Sequence, residues 1–295
     1  MRVLVAVVAV VAVACSGGRT PAPATTTSRP STTTTTATPT TTTTTTTTVP
    51  TTTTLPTVVV PPPENPGCEP VPDPDGSHLR CRTLGLEIVA SSGVDPDVLV
   101  AAAERVERLL SLPGLAEAFV GRGVAIRILR ADESILEVPG FEDLYRRYPG
   151  TDWRREGRWF PGTTDLPVVV GAEENLSCLE GDRFAGEDML VKALAFAVRR
   201  FGLVEIAPEL DRAIEVAYAA AVAAGRWRDT LAETNSDQWW GEGTQSYFGV
   251  NREADPPDSS HNAVDTPEEL QRYDPDLFGL ARRVWGEPTP LPACS

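Results

Sequence analysis

A long tract rich in Thr, Pro and Ser, from about Gly17 to Pro66, sets the limit on what this chain can fold into. The tract has no apolar periodicity and cannot form a core. Its β-branched Thr and frequent Pro residues favour an extended, semi-stiff tether. We therefore predict that the globular part begins at Cys68, which leaves 228 residues, enough for one domain with a sizeable core.

The N-terminal residues indicate export. An unbroken apolar run from Val3 to Ala14 follows a basic second residue, and Cys15 comes directly after it. The run is too short for a membrane-spanning helix and is typical of a secretory signal. The cysteine resembles that of a bacterial lipobox, although Ala12 stands where that pattern prefers Leu. An ordinary signal peptide with a chance cysteine is the alternative.

From this segment we predict a lipoprotein signal peptide over residues 1–14 and lipid attachment at Cys15. A disordered tether would then cover residues 15–67, and a single globular domain residues 68–295. The lipid would anchor the domain to the outer face of a bacterial cell membrane.

Charge and histidine content exclude several function classes. Three arginines and one acid lie before Cys68, so the globular part carries a net charge of -17, against -15 for the whole chain. Such an acidic surface disfavours nucleic acid as a partner, because phosphate binding needs a basic face. Histidine occurs only as His78 and His261, which excludes a metal site built on three imidazoles.

Four cysteines remain once Cys15 is assigned to lipid. An even number in an exported chain indicates two disulfides, for which three pairings are possible. We favour Cys68–Cys81, which closes a short loop, and Cys178–Cys294, which would pin the C-terminal tail to the domain. A zinc site is the weaker alternative, because no pair has the close spacing of a zinc knuckle.

Strand patterns come first along the domain and helix patterns last, which predicts an α+β fold. The predicted strands are Thr83–Ser91, Val124–Leu129 and Pro167–Gly171, with a Gly- and Arg-rich loop over Trp153–Thr164. The predicted helices are 96–110, 115–120, 186–201, 208–224, 236–249, 267–272 and 275–285, with one or two helical turns over 142–148.

The helix predicted at 186–201 has Glu187 and Asp188 at its N-terminus and Arg199 and Arg200 at its C-terminus, where their charges suit the helix dipole. Between these ends it is apolar on every face except at Lys192, the only lysine of the chain. Such a helix is buried on all sides. An unpaired buried ammonium is costly, so Lys192 needs a partner or a water channel. The alternative is a surface pair with Asp188, one turn earlier, with the lysine extending to solvent.

A second unusual helix is predicted within Thr234–Val250. Glu242 lies there between Gly241 and Gly243, among several aromatic residues. Glycine weakens a helix, so this pair indicates close backbone approach at this point. The alternative is plain core packing with Glu242 on a solvated side.

Four blocks, in one order, carry a resemblance to a known family. They are 171–178 (GAEENLSC), 181–191 (GDRFAGEDMLV), 234–248 (TNSDQWWGEGTQSYF) and 261–277 (HNAVDTPEELQRYDPDL). From Leu84 to about Val284 the chain resembles secreted zincin-like proteins related to metallopeptidases of the anthrax lethal factor type. The resemblance implies a zincin-like single domain, with a small mixed sheet followed by a helical C-terminal half.

The resemblance also implies the place of a gluzincin site. Such sites use an HExxH helix with two zinc-binding histidines and a glutamate base, and a later helix supplies a third ligand. Here Lys192 and Phe196 stand at the histidine positions and Ala193 at that of the base. The third-ligand position is kept as Glu242, and His261 matches a histidine outside the HExxH pair. We therefore expect no zinc, no other cofactor and no catalytic residue.

The substitutions also lead to a structural hypothesis. Without zinc, Glu242 would be a buried carboxylate without a cation, and Lys192 could supply the positive charge. We predict an ion pair between them, with nitrogen and oxygen within about 4 Å. Phe196 would fill the volume of the second imidazole. A Lys192 side chain that points to solvent beside Asp188 would contradict the hypothesis.

The sequence is compatible with three alternative functions. The first is an inactive metallopeptidase-like domain that binds a peptide, a wall polymer or a partner protein in a cleft lined by Trp239, Trp240, Tyr247 and His261. The second is an active hydrolase with a non-standard site around Glu242 and His261, helped by acids such as Glu173, Glu174 or Asp237. The third is a purely structural spacer.

Overall fold

The structure is a computed structural model, and it describes residues 67–294. The predicted signal peptide, the lipid attachment at Cys15 and nearly all of the predicted tether lie outside the described residues. Within residues 67–294, no helix combines the length and the apolar character needed to cross a membrane.

A six-stranded mixed sheet forms the N-terminal part of the described chain. Its strands are β1 (Val71–Pro72), β2 (His78–Thr83), β3 (Leu86–Ser91), β4 (Ala125–Leu129), β5 (Phe160–Thr163) and β6 (Leu166–Ala172). The spatial order is β1-β2-β3-β4-β6-β5. The central pairs β3–β4 and β4–β6 are parallel, and the outer pairs are antiparallel. Strand β5 therefore lies at one edge of the sheet.

Eleven α-helices accompany the sheet in the described residues, and most follow it in sequence. They are α1 (Pro96–Leu109), α2 (Leu115–Gly121), α3 (Leu144–Arg147), α4 (Trp153–Glu156), α5 (Glu173–Leu176), α6 (Met189–Ala197), α7 (Val204–Ile206), α8 (Pro208–Ala223), α9 (Ser236–Tyr247), α10 (Pro267–Tyr273) and α11 (Pro275–Trp285). A π-helical segment, Val198–Leu203, joins α6 to α7. The predicted α+β class, with a small mixed sheet and a helical C-terminal half, is confirmed.

Three details of the predicted elements were wrong. The segment Thr83–Ser91 is not one strand, because the chain turns at Leu84 and Gly85, which have φ angles of 50° and 81°. The preceding strand β2 was missed because charged side chains interrupt its pattern (HLRCRT). The predicted loop over Trp153–Thr164 contains α4 and β5, and β5 (FPGT) is a strand only through its pairing with β6.

Helix α6 lies at the centre of the fold. The Asp188 side chain caps it by accepting a hydrogen bond from the Val191 amide, and all nine of its residues are buried. The helix packs against β5 and β6 on one side and against α9 on the other. Contact on every face therefore explains why its sequence is apolar apart from Lys192.

Helix α9 approaches its neighbours closely through its two glycines. A Cβ atom on Gly241 would collide with the ring of Phe196 in α6, and one on Gly243 would collide with Leu277 in α11. The close approach predicted from this glycine pair is therefore present. It brings the middle of α9 against the middle of α6.

Both favoured disulfides are formed. Cys68–Cys81 joins the start of the domain to β2, and Cys178–Cys294 joins the loop after α5 to the C-terminal tail. The tail is held further by a hydrogen bond from the Leu291 amide to the Phe248 carbonyl, at 2.9 Å. The sequence therefore identified the two covalent ties of the domain.

We predict that the two disulfides stabilise the domain unequally. Their cysteines are 13 and 116 residues apart, and chain-entropy theory assigns about 3 and about 5 kcal/mol to loops of these lengths. The double variant Cys178→Ser/Cys294→Ser should therefore melt at a lower temperature than Cys68→Ser/Cys81→Ser. Calorimetry of both variants measures this, and the reverse order would contradict the prediction.

Candidate functional site: a buried charge cluster

Lys192 and Glu242 meet between α6 and α9. The Lys192 Nζ contacts Glu242 Oε1, and each side chain is only 2% exposed. The alternative pairing with Asp188 is absent, because the Asp188 carboxylate caps α6 and binds Arg105 at 2.9 Å. The structure therefore places these two residues as the ion-pair hypothesis predicts.

Apolar groups surround the ion pair. The Lys192 Nζ lies 5.7 Å from the centre of the Trp159 ring, and Phe196 meets that ring edge-on with the centroids 5.8 Å apart. Gly241 brings the α9 backbone against Phe196 and the aliphatic stem of Lys192. In such surroundings each charge loses its hydration, so each depends on the other.

A second buried pair adjoins the first. The Nε2 atom of His261 lies 3.2 Å from Oε2 of Glu187, and the two side chains are 3% and 5% exposed. On the other side of the imidazole, Nδ1 lies 3.3 Å from an Arg252 nitrogen and 3.5 Å from Asp258 Oδ1. We call Lys192, Glu242, His261 and Glu187 the charge cluster.

The charges of the cluster stabilise one another. Burial disfavours the Lys192 ammonium, but Glu242 and Glu187 outweigh this and hold its pKa above the usual value. Burial likewise opposes charge on His261, yet the hydrogen bond with Glu187 leaves its pKa raised. For Glu187, burial is outweighed by His261 and Lys192, and its pKa is lowered. For these three groups, nearby opposite charges therefore stabilise the charged form more than burial destabilises it.

The Glu242 carboxylate has a second partner, which sequence reasoning missed. Its Oε2 atom lies 3.4 Å from Nδ2 of Asn251, a residue that is only 7% exposed. The same Nδ2 donates to Ser246 Oγ at 3.0 Å, and Asn251 Oδ1 accepts from the Arg252 amide at 3.0 Å. The pairing of Glu187 with His261 was also missed, because the sequence indicates only that the negative charge of Glu187 is favourable at the N-terminus of a helix. Its place in the block GDRFAGEDMLV was the available signal.

The donor atoms at this position do not fit zinc. Zinc needs about four ligands with free lone pairs, and the ammonium of Lys192 offers none while it is charged. The side chains of Phe196 and Ala193, on the same helix, offer only carbon atoms. Among residues 67–294, no three His, Cys, Asp or Glu side chains are grouped in a way that could hold a metal ion.

The predicted aromatic cleft is wrong. Trp239, Trp240 and Tyr247 are completely buried, and His261 is 3% exposed. Their polar atoms and rings face the interior: Trp239 Nε1 donates to Asp274, Trp240 stacks on Trp285, and the Tyr247 hydroxyl donates to the Gly286 carbonyl. The reason is that α9 packs against α6, α8, α10 and α11, so no face of it remains open.

The acids named for a non-standard hydrolase have other partners. Glu174 forms a two-pronged ion pair with Arg158, Glu173 accepts from the backbone amides of residues 95 and 131, and Asp237 binds Arg199 at 2.7 Å. These contacts tie loops and helices together. The structure therefore assigns the three acids to local ion pairs and backbone contacts.

An open groove lies in the part of the chain around α10. It encloses about 570 Å³ and is lined by Arg228, Asn262, Val264, Glu269 and Tyr273, among others. Nothing in the sequence indicates it, because its lining comes from three separated segments. One of its lining residues, Asn262, directly follows His261 of the charge cluster.

Comparison with known proteins shows a distant structural similarity. No protein-family model and no curated protein matches the sequence. The fold aligns with the Pro-Pro endopeptidase PPEP-2 from Paenibacillus alvei, with a TM-score of 0.35 and 13% sequence identity. The alignment covers 67% of this chain and 95% of that chain.

We predict that Lys192 and Glu242 are energetically coupled. Lys192→Met leaves a buried carboxylate without its cation and should cost about 3–5 kcal/mol of unfolding free energy. The double variant Lys192→Met/Glu242→Gln removes both charges, so it should lose clearly less than the sum of the single losses. Urea unfolding of the four proteins in this cycle measures the coupling, and strictly additive losses would contradict it.

We predict that the His261–Glu187 pair stabilises most at mildly acidic pH. Because the folded pKa of His261 exceeds its ordinary 6.5, its contribution is complete below that pH and is lost as the pH rises through the raised value. Because the folded pKa of Glu187 lies below its ordinary 4.5, its contribution is present above that pH and is lost as the pH falls through the lowered value.

The variant His261→Gln tests this window. It should lose more unfolding free energy, relative to the unaltered protein, at about pH 5.5 than at about pH 9. Urea titrations of both proteins at the two pH values provide the comparison. A loss of the same size at both pH values would show that folding does not raise the pKa of His261, which would contradict the prediction.

Proposed function

We propose that the chain is an exported lipoprotein whose globular part is a catalytically inactive, zincin-like domain that acts by binding. The observation that carries this proposal is the buried Lys192–Glu242 ion pair. The sequence resemblance puts these two residues at the first and third ligand positions of a gluzincin site. An ammonium and a carboxylate that neutralise each other there make a metal unnecessary.

The chemistry of the neighbouring side chains supports the same conclusion. Metal-assisted peptide hydrolysis needs a bound water and a base that takes its proton. Ala193, at the position of the base, has no group that can move a proton, and Phe196 fills space beside Trp159. The side chains of Glu242 and His261 are 2% and 3% exposed, so neither can reach a substrate in this arrangement.

Binding would then use the surface. The aromatic residues of α9 lie in the core and cannot contact a ligand. The binding surface would instead be the open groove around α10. A peptide, a wall polymer or a partner protein would be its ligand. The Thr- and Pro-rich tract would hold the domain away from the membrane, and lipid on Cys15 would anchor it there.

We predict that the purified protein, incubated with zinc and then desalted, retains far less than one zinc per chain and cleaves no unstructured protein substrate such as casein. The triple variant Lys192→His/Ala193→Glu/Phe196→His rebuilds the missing groups on α6 beside Glu242. It should bind about one zinc, because two imidazoles and a carboxylate then meet at one position.

The matched control adds Glu242→Gln to the triple variant and should lose zinc again. Elemental mass spectrometry measures the zinc content of the unaltered protein, the triple variant and the control. Stoichiometric zinc in the unaltered protein, or cleavage that a chelator stops, would overturn the proposal. Rebuilt protein that folds but binds no zinc would show that these positions do not form a former metal site.

A further inference from the structure

The open groove around α10 contains a nearly buried polar side chain with an unpaired donor. Asn262 is only 8% exposed, and its Oδ1 atom accepts a hydrogen bond from the Val264 amide at 3.0 Å. This contact orients the carboxamide and leaves Nδ2 as its free end, beside the groove that Asn262 lines. Within residues 67–294, Nδ2 has no hydrogen-bond partner. An unpaired donor on a nearly buried side chain is costly, so it points to a ligand that supplies an acceptor.

Two exposed charged groups of the groove are also unpaired. Among the described residues, neither the Arg228 guanidinium nor the Asp255 carboxylate forms a hydrogen bond or an ion pair. The other two charged groups of the lining, Glu269 and Arg272, lie 3.9 Å apart. The four charges therefore sum to zero, although the globular part as a whole carries -17. Free donors and a free acceptor without net charge suit a polar but neutral ligand.

A rigid apolar surface lies among these polar groups. The Tyr273 hydroxyl accepts a hydrogen bond from the Trp227 amide at 2.7 Å, and the two rings meet edge-on with centroids 5.2 Å apart. Trp227 is 2% exposed, so the core holds Tyr273 in place while Tyr273 also lines the groove. Because the ring is already fixed, a ligand that packs on it does not have to order it.

We propose that the open groove around α10 binds a neutral saccharide chain. This inference rests on the proposed function and selects one of its ligand classes, a wall polymer. A sugar hydroxyl both donates and accepts, so neighbouring hydroxyls can meet the Asn262 and Arg228 donors and the Asp255 acceptor. The C–H face of a sugar ring is apolar and would pack against the Tyr273 ring. The groove encloses about 570 Å³, within the range of small-ligand sites.

The same features disfavour the other ligand classes. The net charge of -17 would repel an anionic polymer, and a cationic one would find no excess of acid in the groove. A peptide that extends the sheet needs a strand edge, but the lining comes from residues 225–228, residues 255–264 and α10. A peptide helix needs a long apolar groove, whereas charged groups interrupt the apolar surface here.

Calorimetric titration of the full-length protein tests the proposal. The probes are neutral tetrasaccharides of β-1,4-linked N-acetylglucosamine and of β-1,4-linked glucose, and the control ligand is tetra-alanine blocked at both ends. At least one tetrasaccharide should bind with a Kd of about 1 mM or below, and blocked tetra-alanine should not bind at about 10 mM. Absence of binding by both tetrasaccharides would overturn the proposal.

Two variants locate the site. Asn262→Ser removes the Nδ2 donor but keeps a side-chain oxygen that can accept from the Val264 amide, and Arg228→Ala removes an exposed donor. Each should weaken saccharide binding about three- to tenfold, the effect of losing one hydrogen bond. Arg154 in α4 is also exposed but lies outside the groove lining, so Arg154→Ala should leave the Kd unchanged. Binding that neither groove variant weakens would overturn the assignment to this groove.

This outcome is separate from that of the proposed function. A groove that binds blocked tetra-alanine and no tetrasaccharide would overturn the saccharide proposal and leave a binding role intact. A protein that binds a tetrasaccharide but also holds stoichiometric zinc would contradict only the proposed function.

Discussion

The contact between Lys192 and Glu242 is the interaction on which the arrangement of this domain depends. It links the middle of α6 to the middle of α9, the two helices at the centre of the fold. An ammonium in so apolar a helix is tolerable only beside a carboxylate, and the carboxylate is tolerable only beside a cation. Removing either one would leave a charge that the core cannot solvate.

The neighbouring residues extend this dependence to the surrounding loops. Glu187 precedes α6, while His261 and Asn251 belong to the segment between α9 and α10. Each of the three is tied to the Lys192–Glu242 pair by charge or by a hydrogen bond. The segment between α9 and α10 is thus fixed to the core by polar contacts, where most of the domain is held by apolar packing.

Much of the helical half could be predicted from the sequence, because its signals are local. Asp95 and Pro96 start α1 as expected, and Pro275 starts α11. The ion pair and both disulfides could also be predicted. A single lysine in an apolar helix needs a buried acidic partner, and four cysteines in an exported chain allow only three pairings. Strand β5 could not be predicted, because only its pairing with β6 makes it a strand.

The buried aromatic residues show where local pattern fails. Tryptophan is common at ligand-binding surfaces, yet neighbouring helices cover Trp239 and Trp240 on every side. Whether an aromatic side chain lines a cleft or a core depends on packing between distant segments, which the sequence of one helix does not encode. Asn251 was missed for the same reason, because it reaches Glu242 only after the chain turns back at the end of α9.

The most direct test of the central claim is NMR of the protein labelled with ¹⁵N only at lysine, since Lys192 gives the only side-chain signal. The account predicts one Nζ resonance whose hydrogens exchange slowly with water and whose shift changes in Glu242→Gln. A resonance with the fast exchange of a free surface lysine, unaffected by Glu242→Gln, would contradict it.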